Sequence, residues 1–287
     1  MTSIEQVYRR IVKSVNERKW EDLPRYMTSH LIRNGQDYTP ESYAAEIKLF
    51  GGGGASVELT VDALTVDQES QRLAATVLVR AELAGASDEG GAQQVSFTEQ
   101  QFLWFENGKV STLFTLADGE ELRRQKSDPG YRHTPDLISL HSPPAPSQHV
   151  AGAKLSAGEL EALYREYIGC INTQTMETGL HRYCHYQVVH NTKTLTRDQY
   201  RILIQEARTA VPDIVFNVSI VVADEASQLL AARLEFSGTP VGVMAGAKPN
   251  GRGVSFCEHV TYLFQDGKIS RVWSIVDWES YRRQLAA

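Results

Sequence analysis

The chain has 287 residues, a formal net charge of −6 and 42% hydrophobic residues, a composition typical of a globular protein with about two domains. The acidic balance argues against a nucleic-acid surface, which needs a basic stripe, and no apolar run approaches the ~20 residues of a membrane helix. Cys170, Cys184 and Cys257 are too widely spaced for a disulfide framework or a zinc site. Because residues 1–10 also lack the apolar core of a secretory signal, we expect a cytoplasmic protein.

An internal repeat divides the chain into two copies of one domain. Residues 95–125 read VSFTEQQFLWFENGKVSTLFTLADGEELRRQ, and residues 254–284 read VSFCEHVTYLFQDGKISRVWSIVDWESYRRQ. A gapless match of this length indicates a tandem duplication. We predict a first domain at 3–126, a Pro-rich linker at 127–155 and a second domain at 156–287.

In chain order, each copy is predicted to begin with helices and to end with strands. In the second copy, apolar residues at three- and four-residue steps predict a helix over 160–171, and Thr196 with Gln199 forms a capping-box pattern for a second helix over 196–210. Strands are predicted at 214–223, 229–236, 254–264 and 269–276. Asp266-Gly267 predicts a hairpin turn between the last two strands, as Asn107-Gly108 does in the first copy. This order of elements predicts an α+β fold.

The predicted turn indicates which side chains share a face of the last hairpin. Strict pairing from Gln265 opposite Lys268 places Glu258 opposite Ile275, since side chains alternate between faces. One mostly apolar face would then carry Phe256, Glu258, Val260, Tyr262, Phe264, Ile269, Arg271, Trp273, Ile275 and Asp277. Two carboxylates on an apolar face are expected to have raised pKa values, which suits acid–base chemistry near neutral pH. The alternatives are a buried salt bridge of Arg271 with one carboxylate, and Asp277 as the N-cap of the final helix.

The opposite face of this hairpin, which carries Cys257 and His259, is also too apolar for an open surface. The matching face of the first copy has the same character. We therefore expect the two sheets to pack against each other as an internal pseudo-dimer, with His259 in the interface, and further oligomerisation stays open.

Three stretches of the second copy carry a family resemblance. They are Val188-Val189-His190-Asn191, the glycine-rich segment 238–253, and the run from Asp266 through Trp273 to Asp277. Together they resemble the SnoaL-like polyketide cyclases of the nuclear-transport-factor-2-like superfamily. The resemblance implies two cone-shaped domains, each with N-terminal helices packed on a curved, mostly antiparallel sheet around a ligand pocket.

The resemblance implies a cofactor-free tailoring enzyme, a cyclase or isomerase that acts on an apolar polyketide or terpenoid by carboxylate and histidine acid–base catalysis. Asp277 matches the family's acid–base residue and His190 matches a pocket histidine. The expected catalytic residues are Asp277, Glu258, His190 and Arg271. The expected substrate-binding residues are Tyr262, Trp273, Phe256 and Asn191.

Two other functions stay open at this stage. Relatives with the same cone open epoxides with carboxylates and an arginine, and Glu258, Arg271 and Asp277 could serve that chemistry. A non-catalytic binding or docking module is the other alternative. We expect no metal, because His181, His185 and His190 lack a supporting carboxylate or cysteine pattern. The first copy is predicted to be degenerate, because Arg33 stands in the place of His190.

Overall fold

The computed structural model describes residues 3–50, 57–83, 93–128, 130–141 and 154–286. The chain divides into two compact units, Met1–Ser139 and Leu140–Ala287. Residues 129 and 142–153 of the predicted linker, which include Pro143 and Pro144, lie outside the described residues. Within the described ranges, no helix is long and apolar enough to cross a membrane. The packing of one sheet against the other stays a prediction.

The first unit consists of helices around one six-stranded sheet. Its elements are α1 (Ile4–Asn16), β1 (Met27–Arg33), β2 (Gln36–Tyr38), α2 (Pro40–Phe50), β3 (Val57–Asp67), β4 (Arg72–Leu83), β5 (Gln93–Glu106), β6 (Lys109–Ala117) and α3 (Gly119–Ser127), with 3-10 turns at Trp20–Arg25 and Ile138–Leu140. The strand order is β2-β1-β6-β5-β4-β3. The β1–β6 pair is parallel and the other pairs are antiparallel.

The second unit repeats this architecture. Its elements are α4 (Ala157–Asn172), α5 (Met176–Gly179), β7 (Cys184–His190), β8 (Lys193–Thr196), α6 (Arg197–Ala210), β9 (Val215–Asp224), β10 (Leu229–Gly238), β11 (Val254–Gln265), β12 (Lys268–Val276) and α7 (Trp278–Ala286), with a 3-10 turn at Leu180–Arg182. The order β8-β7-β12-β11-β10-β9 is the same as in the first unit, which confirms the duplication and the α+β fold. The predicted strands are present, whereas β7 and β8 were not predicted.

Helix α6 begins as its sequence predicts. The Thr196 hydroxyl accepts a hydrogen bond from Gln199 N (3.2 Å), and the Gln199 side chain accepts one from Thr196 N (2.8 Å). This reciprocal capping satisfies two backbone donors that a helix leaves unpaired at its start. Helix α4 begins with the same motif at Ser156 and Glu159. Both helices therefore start at positions that their own sequences define.

Each unit has its own apolar core between its helices and one face of its sheet. In the second unit, α4 contributes the buried residues Leu160, Tyr164, Tyr167, Ile168 and Ile171. Their spacing places them on one stripe of the helix. Strands β10, β11 and β12 contribute alternate residues to the same core. The core face of the sheet is therefore the face on which a ligand pocket can form.

The last hairpin contains a β-bulge that the sequence pattern did not indicate. Gln265 pairs with Lys268 and Phe264 with Ile269 as predicted, but Leu263 pairs with Arg271, so Ser270 is an extra residue in β12. The Ser270 hydroxyl donates to the Leu263 carbonyl (3.1 Å) and so bridges the bulge.

The bulge makes the strict register prediction wrong beyond Leu263. Glu258 lies opposite Val276 rather than Ile275. A shift of one residue exchanges the two faces of a strand. The core face of β12 therefore carries Val272, Ser274 and Val276, while the predicted set on that face, Arg271, Trp273, Ile275 and Asp277, leaves it.

Candidate active site

A cavity of about 520 Å³ lies in the second unit between the helices and the core face of the sheet. Most of its lining is aliphatic or aromatic, contributed by α4, α6 and strands β9 to β12. Its polar lining includes Tyr167, His190, Tyr200, Glu258, Tyr262 and Ser274. An apolar cavity of this size with a few polar groups is the usual form of a small-molecule site.

Glu258 is the carboxylate that the sheet contributes to this cavity, and the exposed Glu206 of α6 also lines it. Glu258 lies in β11 between the apolar residues Phe256 and Val260 of the same face, both of which belong to the core. Burial raises the pKa of the Glu258 carboxyl to about 7, and a hydrogen bond from the Ser274 hydroxyl to Glu258 Oε1 acts in the opposite direction. Near neutral pH both protonation states are therefore populated, which is what a group that accepts and returns a proton needs.

His190 is the imidazole of the cavity and lies at the end of β7. Burial, together with the positive charge of Lys193, lowers the pKa of His190 to about 4. Its ring centroid is 5.8 Å from that of Tyr200. The imidazole is therefore neutral near neutral pH, and one ring nitrogen can donate while the other accepts a hydrogen bond.

Glu258 and His190 reach the cavity from strands on either side of β12. His190 pairs with Val272 and Glu258 pairs with Val276, so the two groups are four positions apart along β12. Two strand spacings across the sheet (roughly 10 Å) and four residues along it (roughly 13 Å) place the two backbones roughly 16 Å apart on a flat sheet. The Glu258 carboxylate accepts a hydrogen bond from Ser274, two positions along β12 from the partner of His190, so the two side chains approach each other more closely than their backbones do.

Three tyrosines add neutral hydroxyl groups to the cavity wall. The hydroxyl oxygens of Tyr167 and Tyr200 are 2.8 Å apart, and Tyr262 lies beside Tyr167 with ring centroids 6.1 Å apart. Burial raises the pKa of all three phenols, so they stay protonated near neutral pH. Tyr167, Tyr200 and Ser274 were not predicted from the sequence as site residues. Tyr200 has a counterpart in Tyr43, but Ser274 faces the cavity only because of the bulge.

The predicted site residues separate into two groups in the structure. Phe256, Glu258, Tyr262 and His190 line the cavity. Asp277 lies outside it, because its Oδ1 accepts a hydrogen bond from Ser280 N (2.9 Å) at the start of α7. This is the N-cap alternative that the sequence left open. Asp118 caps α3 in the same way, with Oδ1 3.0 Å from Glu121 N.

Arg271, Trp273 and Asn191 also lie outside the cavity. The Arg271 guanidinium carbon is 5.3 Å from the centre of the Trp273 ring, on the face of β12 that points away from the core. Asn191 lies in the turn between β7 and β8, where its side chain hydrogen-bonds the backbone of Ser274. The bulge is the physical reason for the position of Arg271 and Trp273.

Comparison with known proteins gives the family. The family model described as SnoaL-like polyketide cyclase matches residues 161–285. A SnoaL-like polyketide cyclase from Agrobacterium tumefaciens strain C58 is 36% identical, over 44% of this chain and 97% of that one, with a TM-score of 0.41. The chain belongs to the SnoaL-like polyketide cyclase family.

Other solved structures match over a similar extent. TsrD from Streptomyces laurentii is 24% identical over 46% of this chain and 98% of that chain, with a TM-score of 0.42. AclR from Streptomyces galilaeus is 22% identical over 46% of this chain and 98% of that chain, with a TM-score of 0.40. Each relative thus corresponds to about half of this tandem chain. The comparison with curated protein sequences finds no match.

The first unit has different side chains at the corresponding positions. Arg33, in the place of His190, forms an ion pair with Glu46, and its guanidinium carbon lies 5.6 Å and 5.7 Å from the ring centres of Tyr38 and Tyr43. Glu99, in the place of Glu258, accepts a hydrogen bond from Gln101 Nε2 (2.6 Å). Charged and amide side chains of the unit therefore partner one another at the position that forms the cavity in the second unit.

The described residues contain no cluster of side chains that could bind a metal ion. Among them, no group of three or more His, Cys, Asp or Glu residues is arranged to hold a metal ion. His190, one of the histidines that raised the question, faces the apolar cavity, and His185 Nε2 lies 2.8 Å from the Gln265 carbonyl oxygen. The polar groups of the cavity are thus suited to proton transfer and hydrogen bonding.

Proposed function

We propose that the second unit is a cofactor-free acid–base enzyme, a cyclase or isomerase acting on an apolar polyketide or terpenoid. The observation that carries the proposal is Glu258, a carboxyl whose pKa is raised to about 7 inside an apolar cavity of about 520 Å³. Membership of the SnoaL-like polyketide cyclase family supports the same kind of reaction. Family and fold do not specify the chemistry, so the proposal depends on the cavity residues.

In the proposed reaction, Glu258 acts as the base and His190 as the hydrogen-bond donor. The Glu258 carboxylate removes a proton from a carbon next to a substrate carbonyl, and the electron pair of the broken C–H bond forms an enolate. His190, neutral because its pKa is about 4, donates its ring N–H to the enolate oxygen. In a cyclisation the enolate carbon then bonds to a second carbonyl carbon, and the new alkoxide takes the proton back from Glu258.

The tyrosine hydroxyls are proposed to orient the substrate. Tyr167, Tyr200 and Tyr262 are protonated near neutral pH and can hydrogen-bond to ketone or hydroxyl oxygens of a ligand. The aromatic wall, which includes Phe236, Phe256 and Trp278, would contact its apolar frame.

The geometry favours this chemistry over the epoxide-opening alternative. That alternative needs carboxylates and an arginine around one ligand, whereas Arg271 projects from the other face of β12 and Asp277 caps α7. The first unit, with Arg33 paired to Glu46, is proposed to support the second unit without turning over the same substrate.

Carbon-acid exchange provides a test that does not require the natural substrate. The probe is β-tetralone, an apolar aromatic ketone with an acidic C–H group next to its carbonyl, incubated with the full chain in deuterium oxide and followed by NMR. The wild-type protein should accelerate deuterium incorporation, and Glu258→Gln should slow the catalysed exchange by about 100-fold or more, the usual contribution of a general base.

The matched control is Glu161→Gln, which removes an exposed carboxylate that pairs with Arg165 on α4. It should leave the exchange rate unchanged. Equal rates for wild type and Glu258→Gln would rule out Glu258 as the base. Saturable binding of β-tetralone without accelerated exchange would instead support the non-catalytic binding module.

A further inference from the structure

Asn191 holds one residue of β12 by both backbone groups. Its Nδ2 donates to the Ser274 carbonyl (3.2 Å), and its Oδ1 accepts from Ser274 N (2.8 Å). The Asn191 backbone N–H also donates to the Val272 carbonyl (2.7 Å). Asn191 therefore fixes the position of Ser274 along the direction of the strand, where an unrestrained β-bulge upstream would leave it less defined.

The turn conformation makes this contact available. Asn191 has φ of 51°, in the left-handed region that asparagine adopts more readily than most residues. In this conformation the short side chain points back to the neighbouring β12 backbone. A glycine would keep the turn but remove the contact, which gives a clean way to separate the two roles.

Ser274 carries the contact on to the carboxylate. Its hydroxyl donates a hydrogen bond to Glu258 Oε1, and both side chains line the cavity. The sequence of contacts therefore runs from the Asn191 amide through the Ser274 backbone and hydroxyl to Glu258. A change in the position of the Ser274 backbone changes the distance over which this hydroxyl can reach the carboxylate.

The first unit contains the same contact between a turn asparagine and the β6 backbone, but its hydroxyl group does not reach the glutamate. Asn34 has φ of 48°, and its side chain hydrogen-bonds Thr115 N (2.8 Å) and the Thr115 carbonyl (3.3 Å). The Thr115 hydroxyl, however, lies 3.5 Å from Arg33 Nη2, and Glu99 takes its hydrogen bond from Gln101. The two units thus share the structural contact and differ in what the hydroxyl group serves.

We propose that Asn191 is a positioning residue of the second unit that acts through Ser274 to hold the Glu258 carboxylate in the cavity. This inference rests on the proposed function for its catalytic meaning, but the coupling itself concerns three residues of the chain and exists whether or not the cavity turns over a substrate. Ser274 is the residue through which the coupling passes.

The test measures the titration of Glu258 directly. The full chain is labelled with a carbon isotope at the glutamate carboxyl groups, and the Glu258 signal is identified by its loss in Glu258→Gln. In the wild type it should titrate near its pKa of about 7. Ser274→Ala should move the midpoint up by about one pH unit, because the charged form loses a hydrogen bond. Ser274→Thr keeps a hydroxyl and should restore the wild-type midpoint.

Asn191→Gly should move the midpoint in the same direction as Ser274→Ala. If Asn191 acts through Ser274, the double variant should have the midpoint of Ser274→Ala alone, since the second change removes a contact that no longer reaches the carboxylate. Asn34→Gly is the matched control. It removes the corresponding hydrogen bonds to the Thr115 backbone in the first unit and should leave the Glu258 midpoint unchanged.

Three results would overturn the inference. They are an unchanged midpoint in folded Asn191→Gly, an equal change in Asn34→Gly, and strictly additive changes in the double variant. Should Asn191→Gly not fold, the comparison of Ser274→Ala with Ser274→Thr still tests the step to Glu258, and equal midpoints there would reject it. Failure of the proposed function appears elsewhere, as exchange of β-tetralone that is independent of Glu258 while the titration coupling persists.

Discussion

Glu258 and Asp277 are carboxylates near the same end of the last hairpin, yet they have different surroundings. Glu258 faces an apolar cavity, whereas Asp277 accepts a backbone hydrogen bond at the start of α7. The sequence identified both, since both are carboxylates next to apolar strand residues. The sequence could not show which of the two faces the cavity, because strict alternation placed both on one face. The β-bulge that separates them has no sequence pattern by which it could be predicted.

Stability should report the burial of Glu258. A carboxyl whose folded pKa of about 7 exceeds its usual 4.5 binds more protons in the folded state, so the free energy of unfolding falls as pH rises across that interval. Glu258→Gln removes this effect. We expect the variant to be more stable than wild type by up to about 3 kcal/mol at about pH 8 and to differ little at about pH 4.

The measurement is urea unfolding read by hydrogen exchange in β11, which reports the second unit alone. Glu161→Gln, which removes an exposed ion pair with Arg165, should change the free energy by less than about 1 kcal/mol at either pH. A pH-independent difference between Glu258→Gln and wild type would contradict the assigned burial.

His190 should produce the opposite pH dependence. Its folded pKa of about 4 is below the usual 6.5, so the unfolded chain binds the proton first and stability falls as pH decreases through that interval. His190→Gln should reduce the loss of unfolding free energy between about pH 7.5 and about pH 5, measured by the same unfolding experiment. An unchanged slope between the two pH values would show that His190 is not desolvated.

At the level of elements, the long strands and the main helices were predictable and the short strands were not. Residues 254–264 and 269–276 follow from alternation and from the Asp266-Gly267 turn, and α6 follows from its capping box. Strands β7 and β8 have seven and four residues, and β7 pairs in parallel with β12, a contact distant in sequence. No local pattern encodes that pairing, so β7 was not predicted and His190 was identified as a site residue only by resemblance.

The end of β10 offers a test of close packing between elements. A Cβ added at Gly238 would lie 2.6 Å from Val211 Cγ1 and 3.1 Å from the Ile214 backbone, whereas one at Gly253 would meet its nearest atom, the Gly238 carbonyl oxygen, at 3.7 Å. Gly238→Ala should therefore cost about 1–3 kcal/mol of stability. Gly253→Ala should cost less than about 0.5 kcal/mol. Both costs are measured by thermal unfolding. Equal losses would show that the β10 end is loosely packed.

Across the whole chain, duplication separates what the fold needs from what the cavity does. Both units keep the helix-capping aspartate and the turn asparagine, with matching hydrogen bonds. They differ at Arg33 and His190. The repeat and this difference were both visible in the sequence. The partner of Arg33 was not, because Glu46 lies on α2 and only folding brings it next to β1.

Exchange of side chains between the units should expose this partnership. His190→Arg places a cation in the apolar cavity and should destabilise the second unit by about 2 kcal/mol or more. Leu203 occupies in α6 the position of Glu46 in α2, so adding Leu203→Glu should recover part of the loss. The measurement is a double-mutant cycle of unfolding free energies, with an expected coupling of about 1 kcal/mol. Purely additive effects would contradict the assigned role of Glu46.

The extra residue in the last strand occurs in both units, as Ser270 in β12 and Ser111 in β6. Because side chains alternate between the two faces of a strand, the number of residues after the turn decides which of them face the cavity. Replacing one residue there alters one side chain, whereas adding or deleting one exchanges the whole set that faces the cavity. This stretch should therefore tolerate substitutions away from Ser274 better than it tolerates a change in length. A relative with a gap there has a different cavity wall, even where every aligned residue is the same.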